Sequence, residues 1–153
     1  ITVKKTIPGV ECTLSDISSD ALELAADNSK SLKADVRIVQ SDLFEEFADE
    51  KFDIIVSNPP YIRRADIDKL QTEVREFDPH LALDGGEDGL EFYRNIADEV
   101  QNYLKRSGYL ICEIGADQGD DVVKIFKEAG AVNARIIKDF TDKDRILEAR
   151  FDN

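Results

Sequence analysis

Short apolar runs alternate along this chain with stretches of helical spacing. Glu11 to Ser15 reads as a strand ending at Asp16, and Val36 to Val39 as a second strand. Between them Ser18 is a good helix N-cap, because its hydroxyl can accept from a first-turn amide. Leu22, Ala25, Ser29 and Leu32 then recur on one helical face. Phe52 to Ser57 is a third strand, and its Ile54-Ile55-Val56 run predicts burial on both faces. An irregular stretch follows from Asn58 to Asp88. Leu90, Tyr93, Ala97, Val100 and Leu104 share one face of a helix whose negative end suits Lys105 and Arg106 and whose stop suits Gly108. Tyr109 to Ile114 is a fourth strand. Val122, Phe126 and Ala129 mark a helix closed by Gly130. The last two strands, Ala134 to Lys138 and Arg145 to Phe151, have no helix between them and are expected to pair antiparallel.

This order predicts an α/β fold with a mostly parallel sheet and right-handed crossovers. Ligands bind outside the carboxyl ends of such strands. The polar positions to weigh are therefore Asp16, Asp42, Asn58 and Gly115.

Composition narrows the choice. The 153 residues suffice for one domain, and 42% apolar with 35% charged is ordinary for a soluble globular chain. No apolar run approaches the ~18 residues of a membrane span, and the start shows no signal-peptide pattern. A net charge of −13, with 20 basic and 33 acidic residues and no Lys/Arg cluster, disfavours a phosphate backbone as main partner. Cys12 and Cys112 lie in apolar strand-like runs and are expected as buried free thiols, which suits a reducing, cytoplasmic setting. With His80 alone and no zinc spacing, no metal site is expected. The chain has no methionine, so Ile1 is not an initiator and the chain is expected to begin inside a longer product.

The residues with the most chemistry are Asn58-Pro59-Pro60-Tyr61, directly after the third strand. A residue before proline is pushed into extended geometry, so Asn58 leaves the strand tip with its amide over the crevice. Pro59 and Pro60 have fixed φ and no N–H, so the loop is stiff and offers carbonyls without competing donors. Tyr61 adds a flat apolar surface. Two acceptors, the Asn58 side-chain oxygen and a proline carbonyl, beside an aromatic face suit a planar –NH2 group on an sp2 carbon. Accepting from both N–H bonds fixes that nitrogen and raises its electron density, so its lone pair can be aimed at an electrophile. A rigid turn is the plain alternative, but the position and the run together point to methyl transfer to nitrogen.

The sequence resembles the HemK/PrmC family, the S-adenosylmethionine-dependent protein-(glutamine-N5) methyltransferases of release factors. The resemblance runs through Ser15-Asp16-Ile17-Ser18, Ser41-Asp42-Leu43-Phe44, Phe52 to Ile62, and Phe77 to Leu90 with Tyr93, then Glu113-Ile114-Gly115 and Gln118. Asn-Pro-Pro-Tyr is shared with adenine-N6 and guanine-N2 methyltransferases. The stretch Pro79 to Leu90, with Ala82-Leu83 and Gly85-Gly86, is what points to glutamine.

The resemblance implies a class I, Rossmann-like methyltransferase fold with an antiparallel last strand, residues 1–153 being the catalytic domain. It also implies roles. Asp16 would hold the ribose hydroxyls of the cofactor and Asp42 would lie near its adenine, with Ile17 and Leu43 beside them. A turn or cap is the plainer role for either acid. Asn58 would contact the substrate amide and lie near the cofactor, the Pro59 carbonyl would be the second acceptor, and Tyr61 would pack on the substrate side chain. Gly85 and Gly86 are expected to allow close backbone approach or positive φ. Glu87 and Asp88 read as solvated charges or caps, and His80 as a surface or packing residue. Asp78-Pro79 stands where the family usually has Glu-Pro.

At the front the chain departs from the family. Gly9 stands alone where a Gly-rich loop belongs, and Ile1 to Thr6 resembles the tail of the helix after that loop. The first βα unit and the N-terminal helical domain are expected to be missing, so these residues by themselves are expected to bind cofactor weakly or not at all. The implied partner is a release factor bearing a Gly-Gly-Gln loop, with basic patches suited to this acidic chain and no membrane or nucleic acid needed. Three alternatives stay open: a nucleic-acid amino-group methyltransferase, a glutamine methyltransferase of a ribosomal protein, and a non-catalytic protein-binding fragment.

Overall fold

The computed structural model describes residues 1–152, and the chain divides into two units, Ile1–Asp49 and Glu50–Asn153. In the first, α1 (Thr2–Thr6) is a single short turn of helix. β1 (Thr13–Asp16) and β2 (Arg37–Gln40) pair in parallel, with Thr13 opposite Arg37 and Asp16 opposite Gln40. α2 (Ser19–Ser31) connects them, and Ser18 caps it by accepting from the Ala21 amide at 3.3 Å. The amphipathic face is narrower than its spacing predicts. Leu22 is buried, Ala25 and Ser29 are half-buried, and Leu32 is exposed. Phe44 and Phe47 join Leu22 and Ala34 in the small core of this unit.

In the second unit, β3 (Phe52–Ser57) is followed by three short helices, α3 (Arg64–Ile67), α4 (Thr72–Phe77) and α5 (His80–Leu83). The segment expected to be irregular therefore contains helix, in pieces of one to two turns that are too short to show a 3.6-residue period. α6 (Glu91–Glu99), β4 (Leu104–Glu113), α7 (Gly119–Glu128), β5 (Asn133–Lys138) and β6 (Asp144–Arg150) complete it. The sheet order is β3-β4-β6-β5. β3 and β4 are parallel, and β6 runs antiparallel to both β4 and β5. Three of its four strands run the same way and the last strand is reversed, as expected, so this sheet is mixed, with one parallel and two antiparallel pairings, while β1 and β2 are parallel. Helices α6 and α7 bury Tyr93, Ile96, Val122 and Phe126 in a core that also holds Leu110, Leu147 and Phe151.

Two expectations need correction. α6 stops at Glu99 and a 3-10 turn, Val100–Asn102, follows, so Lys105, Arg106 and Gly108 belong to β4 and not to a helix end. Val100 and Leu104 are buried as their spacing predicts, but the backbone switches between them because the Phe52 amide donates to the Tyr103 carbonyl at 2.8 Å and opens the β3–β4 ladder there. Leu104 pairs with Phe52 and Tyr109 with Ile54, so the residues between them bulge out. Ser107 sits at φ 62, and a Cβ on Gly108 would lie 2.8 Å from the Lys105 carbonyl oxygen, so the glycine serves the bulge.

β3 is not buried on both faces either. It stands at the end of its sheet's strand order, with Ile54 56% and Val56 72% exposed. Of the two free thiols, Cys12 precedes β1 and is half-buried. Cys112 lies inside β4, where burial pushes its thiol up to about 12.

Candidate active site

The Asn58–Tyr61 corner leaves the carboxyl end of β3 as a stiff bend whose Pro59 is buried and whose Asn58 is exposed. It forms one side of a crevice of about 270 Å³ lined by Asn58, Pro59, Tyr61 and Ile62, with Asp78, Pro79, Ala82 and Leu83 also lining it. Among the described residues no hydrogen bond engages the Asn58 side-chain amide or the Pro59 carbonyl. Both acceptors expected from the motif are therefore available to a ligand.

The glycine-rich stretch is packed against this corner. The Ile62 amide donates to the Leu83 carbonyl at 3.1 Å and the Gly85 amide to the Ile62 carbonyl at 2.8 Å, closing a parallel bridge between Ile62 and Asp84. A Cβ on Gly85 would stand 2.7 Å from Tyr61 Cα and 2.9 Å from the Pro60 carbonyl oxygen. No side chain fits there. Gly86 has φ +88, and its amide donates to Asp84 Oδ1 at 2.9 Å. Close approach and positive φ, expected as alternatives, thus occur at adjacent glycines.

Other tethers reach the same corner from β4 and beyond. Tyr61 donates its phenolic hydrogen to Glu113 Oε1 at 3.0 Å, and Arg145 lies 3.9 Å from that oxygen and 3.5 Å from Asp139. Burial first, and then the Glu113 carboxylate, raise the Tyr61 phenol. The Tyr93 hydroxyl donates to the Glu113 carbonyl at 2.9 Å. Gln118, 2% exposed, donates to the Tyr61 carbonyl at 3.0 Å. Asp88 is more than a solvated charge. It accepts from the Leu90 amide at 3.0 Å and pairs with Arg94, whose guanidinium holds the carboxyl down to about 2. Glu87 and His80 are exposed.

The first unit has its own groove, of about 490 Å³, at the carboxyl ends of β1 and β2. Ile17, Gln40, Ser41, Asp42, Glu45 and Glu46 line it. The Gln40 side chain donates to the Ile17 carbonyl at 3.0 Å. Buried Ser41 donates to the Leu43 carbonyl at 3.1 Å and accepts from the Glu46 amide at 3.2 Å. Of the residues expected at the cofactor, Ile17 and Asp42 line this groove. Asp16 and Leu43 do not: Asp16 Oδ1 accepts from the Ser18 amide at 2.8 Å, as a turn residue would, and Leu43 sits at φ 42 in the turn below. Asn58, also expected beside the cofactor, lines the crevice of the second unit. Gln40 and Arg145 carry no signal in the sequence, and Ser41 and Glu113 lie in stretches that the resemblance covers but to which it gives no role. Gln40, Glu113 and Arg145 act through pairings between distant residues that no local pattern encodes, whereas Ser41 bonds only within its own turn.

Among the described residues no group of three or more His, Cys, Asp or Glu side chains is placed to hold a metal ion, and no helix is long and apolar enough to cross a membrane. A methyltransferase from Pyrococcus furiosus superposes with a TM-score of 0.73 at 16% identity, over 99% of this chain and 68% of that one. The fold is that of the Rossmann-like methyltransferases. The chain belongs to the methyltransferase small domain family, whose model matches residues 1–86, and its sequence matches the HemK/PrmC release factor glutamine methyltransferases across nearly its whole length. It is 41% identical over 153 residues to the release factor glutamine methyltransferase of Clostridium acetobutylicum, covering 97% of this chain and 54% of that protein. With the enzyme of the same name from Agrobacterium fabrum the identity is 46% over 138 residues, or 89% of this chain and 47% of that one. The chain thus spans about half the length of the curated relatives it matches.

Proposed function

We propose that this chain is the catalytic domain of a cytoplasmic, S-adenosylmethionine-dependent protein-(glutamine-N5) methyltransferase whose substrate is the Gly-Gly-Gln glutamine of peptide chain release factors. The observation that carries the reading is the Asn58–Tyr61 corner, with two unengaged acceptors on the rim of a crevice and the Gly85–Gly89 stretch packed behind it.

The residues of the first unit fit the cofactor by their chemistry. Asp42 in the groove and Asp16 at the end of β1 are acceptors for hydroxyl and amino hydrogens, and Ile17 offers the groove an apolar face, with Leu43 in the turn that follows Asp42. When bound, S-adenosylmethionine supplies a methyl group on a positively charged sulfur that leaves as a neutral thioether. The chain's own part is to hold the acceptor. The Asn58 side-chain oxygen and the Pro59 carbonyl each accept one N–H of the substrate carboxamide. They fix its plane and enrich the nitrogen lone pair, while Pro60 keeps the bend rigid and Tyr61 packs on the side-chain methylenes. The carboxamide nitrogen held in this way would take up the methyl group that the bound cofactor supplies and would lose its surplus proton to water, so no strong base is required of the chain.

The test is label transfer from methyl-labelled S-adenosylmethionine by the full natural chain to a release factor, with DNA and RNA as parallel acceptors. Label on the Gly-Gly-Gln glutamine is expected. Label on nucleic acid favours the amino-group rival, against which the charge of −13 already speaks. An absence of transfer to any acceptor favours a binding module. Asn58→Ala is expected to lower kcat by roughly two to four powers of ten while cofactor affinity changes little. A near-normal rate removes Asn58 from the mechanism.

A further inference from the structure

We propose that Gln118 is the positioning residue that aims the Asn58–Pro59 acceptors, an assignment that rests on the function proposed above. Gln118 lies at the junction of β4 and α7 and is buried. Its Nε2 donates to the carbonyls of Tyr61 and Gly89, both at 3.0 Å, and its Oε1 accepts from the Gly115 amide at 2.9 Å. Because the Gly115 N–H can meet only the oxygen, the amide cannot flip, and both its hydrogens are committed to the two carbonyls. One side chain therefore ties the end of β4, the approach to α6 and the residue after the double proline to a single point.

The glycines around it are spaced for this. A Cβ on Gly89 would stand 2.6 Å from Gln118 Nε2 and 2.6 Å from the Tyr61 carbonyl oxygen, and one on Gly115 would stand 2.7 Å from Gln118 Oε1. The tether reaches the acceptors through few soft torsions. Between the Pro59 carbonyl and the held Tyr61 carbonyl the φ of Pro60 is locked, and Tyr61 is pinned a second time through its hydroxyl to Glu113, which leaves Pro60 ψ and the Tyr61 backbone torsions as the linkage the tether tightens. Anchoring the Tyr61 carbonyl orients the Pro59 carbonyl. Asn58, on the other side, is held by the end of β3.

The variants are Gln118→Glu, which keeps the shape but turns an oxygen toward two carbonyls, and Gln118→Met, which keeps the length and removes every polar bond. Each is made in the full natural chain and compared with the parent on whichever acceptor the parent methylates. In either folded variant kcat is expected to fall roughly tenfold to a hundredfold, since a shift of about 1 Å at reacting groups costs that much, with the cofactor KM little changed. Amide hydrogen exchange is expected to speed up at Ile62 and Gly85, which hold the corner, and to stay at the parent's rate at Leu110 and Cys112 in β4. Unchanged kcat overturns the proposal. So does a loss that rises uniformly with exchange across β4, or a failure of both variants to fold, each of which assigns Gln118 to stability alone. A parent that methylates something other than glutamine refutes the substrate reading instead, and the Gln118 comparison is still read on that acceptor and by exchange.

Discussion

Gly85→Ala tests whether the corner must be held where it is. The added methyl carbon would stand 2.7 Å from Tyr61 Cα, 2.8 Å from the Tyr61 carbonyl carbon and 2.9 Å from the Pro60 carbonyl oxygen. All three are backbone atoms, so no side chain can swing away. Ordinary contact begins near 3.4 Å, so the two segments must part by roughly 0.7 Å, which is overpacking of the kind that costs about 1–3 kcal/mol. Part of that displacement reaches the Pro59 carbonyl and the Asn58 amide. At about a hundredfold per ångström of misplacement, kcat is expected to drop by roughly one to two powers of ten. Gly86→Ala is the internal control. Its methyl would meet the Glu91 carboxylate, which can swing away, and would stand 2.9 Å from Glu91 Cβ, which is fixed to α6, at a φ of +88; none of these atoms belongs to the double-proline corner. Overpacking and strain together cost about 1–3 kcal/mol of stability, with a much smaller loss of rate. The assays are methyl transfer under saturating cofactor and urea unfolding followed by circular dichroism. Gly85→Ala with parental kcat and an unchanged urea midpoint would refute the reasoning, as would equal losses of rate in the two variants.

Two further outcomes follow from the tethers. Tyr61→Phe removes the 3.0 Å bond to Glu113 and is expected to lower stability by about 1 kcal/mol, read from the urea midpoint; a stabilised variant would show that the bond contributes nothing net. The Asp88 carboxyl, held at about 2 by Arg94 against an unfolded value of about 4, binds its proton more readily in the unfolded chain. Its contribution is therefore present above about pH 4 and lost as pH falls through about 2, and Asp88→Asn should flatten the melting temperature against pH in that window, whereas an unaltered slope would place the acid sensitivity elsewhere.

Much of the fold could be read from local pattern because local chemistry decides it. Ser18 caps α2, Phe52–Ser57 is β3, Gly130 closes the turn after α7 at φ +95, and β5 pairs antiparallel with β6. The candidate site was equally legible in part. Two prolines after a strand make a stiff corner wherever they occur, and adjacent glycines call for a tight approach. What failed was competition between levels. Leu104 keeps the spacing of α6, yet it is strand, because pairing with Phe52 outweighs the helical register. Ile54 and Val56 look like a doubly buried strand, but exposure depends on the strand's place in the sheet, which an apolar run does not encode. Gln118 and Glu113 hold Tyr61 from more than fifty residues away, and nothing in the sequence near either announces the partner.

The reversed β6 has a consequence for how the domain is made. It lies between β4 and β5, so β5 has no neighbour in the sheet until the chain has passed Asp144 and turned back. Arg145, which reaches the Glu113 carboxylate that holds Tyr61, arrives only then. A nascent chain paused in the Asp139–Lys143 turn would have the double proline, the glycines and Gln118 already synthesised, yet it would lack the strand that joins β5 to the sheet. Of the contacts around the corner, the pairing of Arg145 with Glu113 is therefore the last that a growing chain can make.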